Sequence, residues 1–73
     1  MSSDELRAHI AKRLRRWMRD NDVNGRQLAA TIGVCDSIVY RWANATSLPR
    51  SYELRCLCEA TGMSADELLG LDR

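Results

Sequence analysis

The sequence predicts an all-α fold, with five short helices in one domain spanning residues 1–73. Three observations carry that expectation. Apolar residues recur at helical spacing, as in Leu6, Ile10, Leu14, Trp17 and Met18. Strand signals are poor, because Phe is absent and no long β-branched run occurs. Gly occurs four times and Pro once, and the turns between the helical stretches are very short.

Helix one is expected from about Asp4 to Asp20. Ser2 or Ser3 can cap it, and Asp4 and Glu5 suit its first turn. Its apolar stripe leaves the arginines largely on other faces. Asn21 and Asp22 end it. Helix two is expected from Gly25 to Ile32, with Asn24 as N-cap and Leu28, Ala29 and Ile32 inward. Gly33 follows, suited to a left-handed stop. Helix three is expected from about Asp36 to Ala43, weakly capped by Cys35, with Val39 and Trp42 inward. A Thr-Ser-Leu-Pro loop leads to Pro49. Helix four then runs from Arg50 or Ser51 to Thr61, burying Leu54, Leu57 and Thr61 with Cys58 beside them, and Gly62 stops it. Ser64 caps helix five in a box with Glu67, and Leu68 and Leu69 close the core.

Size and charge bound the function. A chain of 73 residues is near the lower end of what folds unaided and offers little room for a pocket. The single His, and the lack of a Ser/His/Asp set or a Gly-rich phosphate loop, argue against an enzyme. No cofactor and no small-molecule ligand are expected. The three cysteines, Cys35, Cys56 and Cys58, are an odd number without metal-ligand spacing. They are expected to be free thiols in a reducing compartment, with no metal and no disulfide. No apolar run is long enough to span a bilayer, and the polar N-terminus does not resemble a signal peptide. A cytoplasmic location is the expectation.

Net charge is only +1, but it is unevenly spread. Residues 1–50 hold nine Lys/Arg and five Asp/Glu, whereas residues 51–73 hold two and five. The densest basic block is Lys12, Arg13, Arg15, Arg16 and Arg19. A basic front masked by an acidic tail keeps a polyanionic partner in view.

Helix three carries the functional signal. With Val39 and Trp42 inward, its other side presents Asp36, Ser37, Tyr40, Arg41 and Asn44 as one polar face. Ile38 lies at the margin. Only about three residues around Gly33 separate helix two from helix three, which forces a sharp angle between them.

In this region the segment NGRQLAATIGVCDSIVYRWANATSLP resembles the helix-turn-helix of the phage repressor, Cro and Xre family. The likeness lies in the polar cap, the Leu-Ala and Gly-Val spacing and the inward Val and Trp. It extends over about residues 10–70, with MSADELLG similar to the family's fifth helix. The resemblance implies a compact five-helix lambda-repressor-like domain with helix three in the major groove of double-stranded DNA. Asp36, Ser37, Tyr40 and Arg41 then fall on base-facing places. Asn44 falls on a phosphate-contact place, and Asn24 and the Gly25 amide sit where helix two meets a phosphate. Arg26 and Arg50 are further phosphate candidates, and a solvated surface explains Arg26 equally well.

The chain departs from the family pattern in three places. Gly25 stands where Gln often clamps a phosphate and braces helix three. Met18 and Ala43 replace a common Arg–Glu pair, so no charge is stranded. The loop after helix three reads Ala45-Thr46-Ser47 where Gly and Lys are usual.

The resemblance implies a transcriptional regulator, most simply a Cro-like repressor of its own promoter. It would bind as a homodimer to a palindromic operator with half-sites ~34 Å apart. Met63, Leu68 and Leu71 are the dimer candidates. An antitoxin of the same fold, binding a toxin and its operator, is the alternative. So is a helical interaction module without DNA binding, for which the low charge, Gly25 and Asp36 speak. Asp36 itself has two readings: it favours the macrodipole of helix three, or it accepts from cytosine N4.

Overall fold

The computed structural model describes residues 2–71. Its helices are α1 (Ser3–Asp20), α2 (Gly25–Ile32), α3 (Asp36–Ala43), α4 (Ser51–Thr61) and α5 (Ala65–Leu69), with no strand among the described residues. The Cα radius of gyration is 11.0 Å. A compact chain of this length is expected at about 11 Å.

Local chemistry sets the helix ends. Ser2 Oγ accepts from the Glu5 N–H at 3.2 Å and starts α1 one residue earlier than expected. Asn24 Oδ1 accepts from the Gln27 N–H at 2.8 Å, and Gln27 Oε1 accepts from the Asn24 N–H at 2.9 Å. That reciprocal pair satisfies orphan donors at the head of α2. Helix α3 has no side-chain cap at Cys35. At α4 the Arg50 N–H donates to Glu53 Oε1 at 2.8 Å, but an arginine side chain has no acceptor to complete a box. At α5, Ser64 Oγ accepts from the Glu67 N–H at 3.1 Å.

The turn between α2 and α3 is three residues, Gly33 to Cys35. Gly33 sits at φ 79°, and both its N–H and that of Val34 donate to the Ala29 carbonyl. This closes α2 with a left-handed residue, where glycine has no Cβ penalty.

The end of α3 solves the same problem with alanine. Ala45 has φ 58°, its N–H donates to Trp42 O at 3.2 Å, and the Thr46 N–H donates to Arg41 O at 2.9 Å. That is a Schellman closure with a Cβ in the left-handed position, a conformation costing an L-residue ~1–2 kcal/mol. Ala45→Gly is expected to stabilise the fold by about 0.5–1 kcal/mol, after allowing for the freer unfolded chain. A rise in thermal midpoint of roughly 3–6 °C would show it, and a fall would mean the Cβ is not under strain.

One core joins all five helices: Leu14 of α1, Leu28 and Ala29 of α2, Val39, Trp42 and Ala43 of α3, Leu57 of α4 and Leu68 of α5. Helix α3 packs on α1 and α2, α4 packs on α2 and α5, and α5 closes on α1. A long-range hydrogen bond, His9 Nε2 to the Glu67 carbonyl at 2.9 Å, ties α5 to α1.

Several expectations change here. Leu68 is fully buried, so it cannot serve a dimer interface, whereas Leu71 is 64% exposed. Met63 is half-buried against the core. Trp17, expected inside, lies at the core margin, whereas Ile10, as expected, and Ala11, outside the expected stripe, are buried with Leu14. Met18 and Ala43 both pack on the core, so this place is apolar.

Candidate nucleic-acid interface

Helix α3 is short, so its periodicity decides what water sees. Val39, Trp42 and Ala43 are buried, which turns Asp36, Ser37, Tyr40, Arg41 and Asn44 outward together. The expected polar face therefore exists as one exposed surface. Ile38 is partly buried against the core, at the edge of that face.

Asp36 sits in the first turn of α3, and its Oδ1 accepts from the neighbouring Ser37 N–H at 3.0 Å. The carboxylate thus serves the helix start that Cys35 leaves uncapped, where negative charge is favoured. Arg41 lies in the last turn, where a cation is favoured by the same dipole, and its side chain stays exposed. Asn44 is the C-cap and its side chain is also exposed.

The head of α2 meets this face through an unexpected pair. Gly25 is buried, and a Cβ placed on it would lie 2.8 Å from Tyr40 Cε1 and 2.9 Å from Tyr40 Cζ. The Tyr40 ring therefore rests on the Gly25 backbone. This alters two site expectations. Gly25 is covered rather than open to a phosphate, and Tyr40 is held against α2 by one ring edge while remaining 44% exposed. The brace that a longer side chain at position 25 would supply comes here from α3.

Asn24 and Arg26, on either side of Gly25, are exposed. Asn24 commits its oxygen to the cap, which leaves its amide donors for other contacts. Gln27 was not anticipated as part of this region, although the Asn24-x-x-Gln27 spacing is a capping-box signature. Arg50 is exposed at the head of α4, beyond the loop that follows α3.

The Tyr40–Gly25 contact has a measurable consequence. Gly25→Ala in the native background should give no stability gain, because the new methyl must displace the ring. In a Tyr40→Ala background the same change should stabilise by roughly 0.5–1 kcal/mol, the usual Gly-to-Ala difference in a helix. Chemical denaturation of the four proteins gives the coupling. Equal effects in the two backgrounds would mean that the ring does not press on Gly25.

The remaining reactive groups do not assemble. Cys35 is exposed, Cys56 and Cys58 are half-buried, and all three are free thiols. Burial pushes the Cys58 thiol up, which keeps it protonated. Among the described residues no group of three or more His, Cys, Asp or Glu side chains converges as a metal site would require. No helix among them is long and apolar enough to cross a membrane.

No family model matches the chain, and no curated protein or solved structure matches it.

Proposed function

We propose that the protein is a sequence-specific double-stranded DNA-binding transcriptional regulator of the lambda-repressor-like helix-turn-helix type, acting as a Cro-like repressor. One observation carries the reading most directly. Two short helices, α2 and α3, are joined by three residues through left-handed Gly33, and the second presents an unbroken polar face to solvent. That is the shape a major groove admits.

In this reading Ser37 and Arg41 reach base edges from α3. Asp36 divides its carboxylate between the helix start and a cytosine amino group. Tyr40 offers its hydroxyl from a ring already fixed on Gly25. Asn24, Arg26, Asn44 and Arg50 hold phosphates and set the register. Dimerisation on a two-fold operator supplies the affinity that one small module lacks. Apolar residues left on the surface, Tyr52 at 74% and Leu71 at 64% exposure, support an additional protein contact. The same residues favour the second reading, an antitoxin whose partner covers them.

The deciding experiment is a binding titration on the DNA upstream of the protein's own gene, at two salt concentrations, against scrambled DNA. A regulator prefers the upstream DNA at both. Arg41→Ala should remove about 1–3 kcal/mol of that preference, the discrimination of one guanine fork. Equal, weak affinity for both DNAs would sink the proposal. Capture of the product of a co-transcribed neighbouring gene would favour the antitoxin.

A further inference from the structure

Outside α3 the strongest charged feature lies on α1. Lys12, Arg15, Arg16 and Arg19 are all exposed. They line a shallow concavity of about 370 Å³ with no other residue contributing to it. A second concavity, lined by His9, Lys12, Arg13 and Arg16, shares two of them and extends the strip toward the helix start.

The strip faces away from the core. At ~100° per residue, the centre of these four positions lies roughly 140° around α1 from the buried line of Ile10, Ala11 and Leu14, with Arg15 at about 95° and Arg16 at about 165°. Helix α1 packs on α3, and on each helix the exposed residues lie opposite that helix's own buried ones.

The arrangement is unfavourable for α1 alone. Lys12 meets Arg15 and Arg16 at three and four residues, and Arg19 meets Arg16 and Arg15 in the same way. Like charges at this spacing destabilise an isolated helix. Among the described residues one acid answers them: Asp20, which Arg16 Nε and Arg19 Nε approach at 3.8 and 3.7 Å. Of the acids on α4, Glu53 accepts from the Arg50 N–H and Glu59 pairs with Arg55.

We propose that this α1 strip is a second duplex-binding surface, which grips the phosphate backbone of a DNA segment other than the one on α3. The proposal rests on the duplex-binding reading and adds to it. Three of the four cations are arginines, whose planar forks match phosphate oxygens. They are strung along ~10 Å of helix, which suits a strand of evenly spaced phosphates. A protein with two such faces bridges two duplex segments, so bound copies draw distant sites together.

The test compares the wild type, the triple variant K12Q/R15Q/R19Q and R41A. Binding of a random-sequence duplex is measured across salt concentrations, and bridging is read as energy transfer between two separately labelled duplexes. The triple variant should fold, because its changes are exposed and relieve repulsion. Circular dichroism checks this, and K12E alone gives the same direction if folding fails. The slope of log affinity against log salt should fall by about 2–3, near 0.9 for each lost phosphate contact. Bridging should disappear while operator preference survives.

An unchanged slope would overturn the proposal. A lowered slope with no bridging by the wild type would place the strip on the same duplex as α3, which overturns the second-segment claim. Strip-dependent binding to polyglutamate, with duplex binding unaffected, would assign it to an acidic protein instead. R41A keeps the two readings apart. Loss of operator preference in R41A alongside a null triple variant leaves the regulator reading standing and this one fallen. The reverse pattern leaves the strip without base reading by α3.

Discussion

Trp42→Ala is expected to cost about 3–5 kcal/mol, the usual range for removing a large buried aromatic. Trp42 is 1% exposed and heads the fully buried side chains by volume. It sits in the one core that all five helices share. A chain of 73 residues is expected to hold only roughly 4–11 kcal/mol of total stability, so the loss takes a large part of it. Urea denaturation followed by circular dichroism is the measurement, with Trp42→Phe as a milder step. Trp17 at the core margin remains as a fluorescence reporter. A cost below about 1 kcal/mol would contradict the packing described here. The result also bears on function. Trp42 and Arg41 are adjacent on α3, so collapse of the core removes the support of the exposed face.

Leu68→Ala is expected to cost about 2–5 kcal/mol, by the same cavity argument. Helix α5 has only five residues, too few to be stable by itself. It depends on Leu68 in the core and on the hydrogen bond from His9 Nε2 to the Glu67 carbonyl. The size of the loss should not vary with protein concentration, because Leu68 is 0% exposed and unable to reach a second copy. A loss that shrinks as concentration rises would return Leu68 to a dimer interface. Leu71→Ala is the natural control. It is exposed, and any effect it has on self-association should leave the isolated fold intact.

The two leucines show how far the sequence could be read. Leu68, Leu69 and Leu71 are close in sequence and alike in hydropathy, and no local rule separates them. Burial depends on where α5 meets α1 and α4, which neither helix specifies alone. The same holds for Gly25. As a letter it signalled a missing side chain and a weakened phosphate contact. In the fold it is the flat surface on which Tyr40 rests, a contact between residues on different helices. Ala45 gives a third case. Nothing about an alanine announces a left-handed backbone, whereas Gly33 did.

Asp36 separates differently. Its place in the first turn of α3 and its use at the helix start were both legible, because a cap involves neighbours in the chain. The polar face of α3 was legible for a related reason. Once Val39 and Trp42 point inward, the helical repeat places the other residues.

The sequence by itself thus determined the all-helical class, the bounds of α2 and α3, the Gly33 turn and the exposed membership of the α3 face. These rest on interactions between residues a few positions apart. Only the tertiary structure decided between the core and dimer readings of Leu68, and only it showed that Trp17 is marginal and that Tyr40 braces Gly25. Those follow from how five helices share one limited interior, and the space left for each side chain exists only after the others are in place.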